Sequence, residues 1–249
     1  MAYSQSELYP VHLTPGGPPL SRDLLLQCPP ELLRREDAQL LLVGCRFGEH
    51  LITLPYHFAG RITGIEEDSE AVLYGKMAIA QAGMAERVSI MMMSPLATRF
   101  QPGQFDVIIL EGAFSSYPAG KVLKEAKRLL SDTGMLLFSD SCWLEPDVPV
   151  FARQVWESRE HKILHFDETV ALFRDRGFDI IATVDQSRVL GGFYAQFRDA
   201  AQSIAREKFE GLKHLKALVK HYKHEIDVYH KHGGKRYMGY MSIVAKHAG

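Results

Sequence analysis

Residues 42–48 read LVGCRFG, inside the longer stretch AQLLLVGCRFGEHLITLPYHFAGRITGIEED (38–68). An unbroken apolar run ends in two glycines four positions apart, and an acidic triplet follows after about twenty residues. Residues 39–43 read as a strand buried on both faces, because no polar residue alternates along the run. Residues 48–55 read as a short helix, and 61–66, RITGIE, as a second strand. The spacing is that of a βαβ unit whose first turn can bring backbone N–H groups and a helix N-terminus to an anionic or polar ligand. Gly44 and Gly48 permit positive φ and close approach of the backbone. Glu66, at the end of the second strand, is placed to accept hydrogen bonds from two ribose hydroxyls. Arg46 occupies the middle position of the turn, where a glycine is expected.

Working outward, the same rhythm continues. Residues 69–82 read as a helix with Asp68 as its N-cap. Strands are expected at 88–92, at 105–110 (FDVIIL) and at 135–138, with an amphipathic helix at 121–130 and an SDTG turn before the last of these. Strands without polar alternation, separated by helices, predict a doubly wound α/β domain with a mostly parallel sheet. The three methionines Met91–Met93 are expected in a buried strand. After Asp140 the pattern changes to an irregular aromatic stretch, a helix at 167–176 ended by Gly177, a strand at 178–184 and a closing strand at 238–244. Between these last two lies a helical insertion. Its apolar positions Phe197, Ala201, Ala205, Phe209, Leu212, Leu215, Val219, Tyr222, Ile226 and Tyr229 step by three or four, and Gly211 marks a bend.

At this point the chain resembles the class I S-adenosylmethionine (SAM) dependent methyltransferases, in the small-molecule branch near the quinone-biosynthesis C-methyltransferases. LLLVGCRFGEHLITLP matches the glycine motif and RITGIEEDSEAV the ribose-binding strand. MMMSPLATRFQPGQFDVIILEGAF matches the adenine loop and fourth strand, and EAKRLLSDTGMLLFSDSCWL the helix and fifth strand. TPGGPPLSRDLL, EGAF, SCW and YMGYMSIVAK are similar to a subgroup of bacterial methyltransferases with a late helical insertion. The resemblance implies a single Rossmann-like domain over 1–249, with residues 1–38 as a segment over the cofactor mouth and 140–176 and 186–235 as helical cap insertions. It implies SAM as cofactor and S-adenosylhomocysteine as product, with Gly44, Cys45, Arg46, Gly48, Glu66, Glu67, Ser94, Pro95, Leu96 and Glu111 at the cofactor. Glu111, the candidate catalytic residue, is expected near the reacting centre; the alternative is a solvated strand-end acid.

Three positions depart from the family pattern. Leu42 stands where an acid usually orients the loop, a loss worth about 1.5–3 kcal/mol if a charge-assisted hydrogen bond goes with it. Arg46 adds bulk and positive charge beside a sulfonium, or pairs with a carboxylate if it points along the groove. Ser94 replaces the Asp that meets the adenine amine, and Pro95 has no N–H to give. Three readings therefore stand together: a methyltransferase with a relaxed cofactor site acting on a small organic acceptor; a degenerate, non-catalytic member acting through a partner or bound metabolite; and a transferase using a modified, anionic SAM derivative with Arg46 as counter-ion.

Other candidates weigh less. His214, His221 and His224 share a helix face among lysines, and a solvated basic face outweighs a metal site. His50 lies near the cleft and His57 near the cofactor helix, with surface roles at least as well supported. Tyr117 reads as a loop tyrosine packing on the next helix. Trp143, Phe151, Trp156, Phe193 and Tyr194 belong to the two insertions, which in this family cover the acceptor pocket. Cys142 is a weak candidate nucleophile. Lys and Arg number 29 against 30 acids, so nothing points to nucleic acid. No apolar run approaches the roughly 18 residues of a membrane span, and MAYSQSELYP lacks the apolar core of a signal peptide. Three scattered cysteines are too few for a disulfide framework or zinc site. A cytoplasmic enzyme follows, with no membrane partner; a homodimer is left open.

Overall fold

The computed structural model describes residues 11–157, 162–206 and 213–248. Its seven strands are β1 (Gln39–Val43), β2 (Arg61–Glu66), β3 (Val88–Met92), β4 (Phe105–Glu111), β5 (Leu130–Trp143), β6 (Phe178–Asp185) and β7 (Met238–His247). They form one sheet in the order β3-β2-β1-β4-β5-β7-β6. The first five run parallel, in the register Leu40↔Ile62 and Leu40↔Val107 on either side of β1. β7 is antiparallel to both its neighbours, β5 and β6.

The apolar run of β1 explains its central place. Leu40 and Leu42 enter one core while Leu41 and Val43 enter the other, and β4 divides likewise, with Val107 and Ile109 opposed to Ile108 and Leu110. Successive strand side chains point to opposite faces, so both faces need cover. Full burial of each such side chain contributes roughly 1.5–3 kcal/mol.

Helices α1 (Gly17–Leu25), α2 (Pro30–Leu33), α3 (Ser69–Gln81), α4 (Ala119–Leu129), α5 (Val150–Trp156), α6 (Phe166–Asp175), α7 (Arg188–Arg206) and α8 (Lys213–Lys231) complete the described elements. Asp68 caps α3 as expected, its Oδ1 accepting from the backbone N–H groups of Glu70 and Ala71 at 2.8 and 3.0 Å. The helix expected at 48–55 is instead two 3₁₀ turns, His50–Ile52 and Leu54–Tyr56. Pro55 has no N–H with which to continue a single helix. The SDTG turn persists as an irregularity within β5, between the pairs Phe105↔Leu130 and Val107↔Met135.

Two expectations change here. Met91 and Met92 are exposed: β3 is the outer strand, Met91 points to the open face opposite Val88 and Ile90, and Met92 ends the strand. Helix α6, placed by sequence within a cap over 140–176, joins the sheet layer: Phe173 is fully buried with Phe138 and Phe178. The cap proper is α5 with α7 and α8. Its aromatic stripe holds where described, with Phe197 against Tyr222 at 4.6 Å between centroids. Phe209, Gly211 and Leu212 lie outside the described residues, as do the side chains of Ala201, Ala205, Leu215, His214 and His221. Among the described residues no helix is long and apolar enough to cross a membrane.

Candidate active site

The carboxyl ends of β1, β2, β4 and β5 meet under the N-terminal segment and the cap. At the end of β1 the backbone turns at Gly44, with φ 80°. A Cβ there would collide with the Glu111 carbonyl oxygen, so only glycine fits between β1 and β4. Arg46 follows with φ 45°, the one positive-φ residue other than glycine among those described. Its backbone N–H donates to Glu66 Oε2 at 3.0 Å. Glu66 Oε1 accepts from the backbone N–H groups of Glu67 and Asp68 at 2.8 and 3.2 Å. The carboxylate is thereby fixed at the end of β2, and Oε2 retains capacity to accept from a ligand hydroxyl.

Glu67 is exposed and its Oε2 accepts from the Tyr117 hydroxyl at 2.8 Å. Tyr117 therefore links the loop after β4 to the loop after β2, rather than only packing on the next helix. Burial raises its pKa, and the bond to Glu67 adds to the rise. Past β3, Pro95 is buried while Ser94 and Leu96 are half-buried, and Ser94 Oγ accepts weakly from the Leu96 N–H at 3.4 Å. Leu42 is wholly buried in the core, so no acid orients the glycine turn from that position. Gly48 (φ 89°) and Cys45 are buried behind the turn.

Glu111 is not a solvated strand-end acid. Only 1% of it is exposed. The Thr14 hydroxyl donates to Oε1 at 2.7 Å, and Ser21 Oγ lies 3.4 Å from both carboxylate oxygens. His50, whose side chain is buried rather than on the surface, places Nε2 3.1 Å from Thr14 Oγ1 and Nδ1 3.2 Å from Glu111 Oε2. The Thr14 proton goes to Glu111, so the His50 Nε2 is the donor to Thr14. A second buried acid, Glu49, accepts from the Leu13 N–H at 3.0 Å and pairs with His12 Nδ1 at 2.6 Å. That hydrogen bond raises the His12 pKa. Gln196 of α7 completes the cover by bonding both the N–H and the carbonyl of His12. Residues 12–21 are thus fastened across the mouth from both sides.

Beneath the cap is a cavity of about 470 Å³. Arg46 and Asp140 lie toward its sheet side, and Trp156, Tyr194, Tyr222 and Glu225 come from the cap. The Arg46 guanidinium reaches past the glycine turn to the Tyr222 phenol, whose negative form would raise the Arg46 pKa. Glu225 Oε2 accepts from Trp156 Nε1 at 3.0 Å and the Tyr194 hydroxyl at 2.9 Å. Burial pushes its carboxyl up to about 7. Asp140 is pushed up to about 6 by burial, although the N–H groups of Phe114, Ser115 and Ser141 bond it at 2.7, 3.2 and 2.7 Å. Its oxygens hold the loop after β4.

Of the aromatics expected at the acceptor pocket, Trp156, Phe193 and Tyr194 line the cavity. Trp143 is buried behind it, donating from Nε1 to Glu157 at 2.8 Å, and Phe151 is exposed on α5. Cys142 is no nucleophile: it is buried, and burial drives its thiol up to about 12. His57 and His224 are exposed. Glu225 and Asp140 are the cavity acids that sequence reading passed over. Glu225 sits among lysines and histidines in HYKHEIDVYH; its place beside the Tyr222–Tyr229 stripe was the available signal.

Residues 41–138 match a family model described as a methyltransferase domain. A Haemophilus influenzae protein described only as uncharacterized is 27% identical over 108 residues, and this match covers 42% of the chain and 43% of that protein. The chain thus spans less than half the length of the curated relative it matches. Among solved structures, a Galdieria sulphuraria protein provisionally named a sarcosine dimethylglycine methyltransferase superposes with a TM-score of 0.74 at 17% identity, covering 91% of this chain and 84% of that one. Geranyl diphosphate C-methyltransferase from Streptomyces coelicolor, in complex with Mg2+, geranyl diphosphate and S-adenosylhomocysteine, gives 0.66 at 16% identity, with coverages of 92% and 80%. Residues 41–138 thus match a methyltransferase domain, and the chain shares the Rossmann-like fold of these methyltransferase structures.

Proposed function

We propose that this protein transfers a methyl group from SAM to a small organic acceptor held beneath the cap. The observation that carries the reading is the convergence of the Gly44–Gly48 turn, the Glu66 carboxylate and the cap cavity at one edge of the sheet, within a methyltransferase domain. The residues present fit the cofactor's nucleoside half: Glu66 has free acceptor capacity for ribose hydroxyls, and Ser94, Pro95 and Leu96 form a half-buried, weakly polar wall for adenine. Gly44, Cys45, Arg46 and Gly48 shape the turn beneath it, and Glu67 with Tyr117 closes over its side.

Bound between the glycine turn and Glu66, SAM would supply an electrophilic methyl group to the acceptor's lone pair, with S-adenosylhomocysteine as the product. The chain's own contribution is alignment, worth effective molarities up to about 10⁵–10⁸ M when reacting atoms are well held. The cap and the Thr14 segment wall the cavity on its outer side. Glu225, oriented by Trp156 and Tyr194, takes the proton that an O–H or N–H acceptor releases. Glu111 acts as a positioning residue for the mouth cover through its bond from Thr14.

Calorimetric titration with SAM and S-adenosylhomocysteine tests the reading. Binding that weakens at least tenfold in Glu66→Ala is expected. Absence of binding at millimolar ligand would sink the proposal in favour of a non-catalytic protein.

A further inference from the structure

Arg46 poses a question that the cofactor alone does not answer. Its backbone has the left-handed conformation that glycine adopts freely and that a larger residue holds only with strain. The turn itself would be better served by glycine. What distinguishes arginine is the side chain, and that side chain passes the turn to stand beside Tyr222 of the cap and near Tyr240 of β7. Among the described residues lining the cavity, Arg46 is the only base.

We infer that Arg46 is a carboxylate-binding residue of the acceptor cavity, and that the acceptor is a small carboxylic acid with an apolar or aromatic body. The inference rests on the methyl-transfer reading and deepens it. The acids of the protein that surround the guanidinium are already engaged. Glu66 is held by three backbone N–H groups, Glu111 by Thr14 and Ser21, Asp140 by three further N–H groups, and Glu225 by Trp156 and Tyr194. A planar guanidinium offers paired donors that match a carboxylate. The cap side of the wall is largely aromatic and aliphatic, with Trp156, Phe193, Tyr194 and Tyr222 beside Val155 and Leu190, while Ser115, Ser116 and Ser141 line the sheet side. A cavity near 470 Å³ suits a molecule of one ring or a short branched chain.

A carboxylate at Arg46 could also be the one at the amino-acid end of the cofactor. The position of the guanidinium against the cap's Tyr222 favours the acceptor, and the experiment separates the two. Phenylacetate and 3-phenylpropionate, with their uncharged amides as controls, are titrated into the protein loaded with S-adenosylhomocysteine. The acids are expected to bind and the amides to bind at least tenfold more weakly. Arg46→Met should abolish the preference, a loss of roughly 10- to 100-fold for the acids alone. Tyr222→Phe, which keeps Arg46, should weaken the acids several-fold and guards against a misfolded Arg46 variant. Equal binding of acids and amides, or a preference that survives Arg46→Met, would overturn the inference.

In the second arm, SAM is compared with decarboxylated SAM on both proteins. If Arg46→Met erases discrimination between these two and leaves the phenylacetate preference intact, the carboxylate belongs to the cofactor and the acceptor assignment falls. If S-adenosylhomocysteine fails to bind at all, the methyl-transfer reading fails, and that is seen before any acid is added.

Discussion

Thr14→Val removes one hydroxyl at the mouth with almost no change in shape, and its cost can be worked from the geometry. The Thr14 hydroxyl lies 2.7 Å from Glu111 Oε1, and both residues are buried. A hydrogen bond to a charged group is worth about 1.5–3 kcal/mol, and the buried acceptor it leaves behind meets no water. Ser21 does not replace it, since its Oγ stands 3.4 Å from either oxygen. The His50 Nε2 loses its partner at the same time. We expect a destabilisation of about 2–4 kcal/mol by urea unfolding, and a fall in Tm of roughly 4–16 °C for a chain of this size. Thr14→Ser, which keeps the oxygen and its proton, should recover most of the loss. A loss below about 0.5 kcal/mol, or equal losses for Val and Ser, would refute the buried Thr14–Glu111 fastening.

Two other expectations concern the cavity. Arg46→Gly removes the strained backbone but frees the unfolded chain, so stability should hold or rise by up to about 1 kcal/mol; a loss above 1 kcal/mol in urea would show that the arginine side chain is a structural prop. Glu225 titrates near 7 in the fold against 4.5 in the unfolded chain. Between these values the native state keeps a proton that the unfolded state has lost, so stability falls as pH rises from about 4.5 to about 7 and then levels. The cost approaches 3 kcal/mol as an upper limit. Glu225→Gln should flatten that fall between pH 5 and pH 8 in thermal unfolding, with the Asp140 contribution common to both proteins. Parallel stability curves would contradict the burial of Glu225.

The parallel half of the sheet was legible because its strands are apolar on both faces. Residues 39–43, 61–66 and 88–92 carry the same bounds in sequence and structure. The short helix after the glycine turn was misread because Pro55 acts locally against a favourable apolar pattern. The glycine turn and Glu66 could be placed because they are close in sequence to the strands that carry them. The mouth was less accessible: the Thr14–Glu111 and His12–Glu49 bonds join residues 97 and 37 positions apart. No periodicity encodes such pairs. Glu225 was hidden for a different reason, since a carboxylate among cations reads as solvated until Trp156 and Tyr194 from other helices close upon it.

The placement of β7 has a consequence for how such a protein can change its acceptor. The chain leaves β6 after Asp185 and re-enters the sheet at Met238, and Asp185 pairs with Met241 across the strands. The Gln186 N–H also donates to the Tyr240 carbonyl at 2.7 Å, so the two ends of the 186–237 insertion nearly touch. Lengthening an insertion whose ends already meet adds little closure cost, about 0.6 kcal/mol for each doubling of its length. The α7–α8 part of the cap can therefore vary while the glycine turn and Glu66 stay in place. On the proposed reading, the aromatic side of the acceptor cavity that α7 and α8 supply can change without altering Glu66, whereas Arg46 stays with the turn.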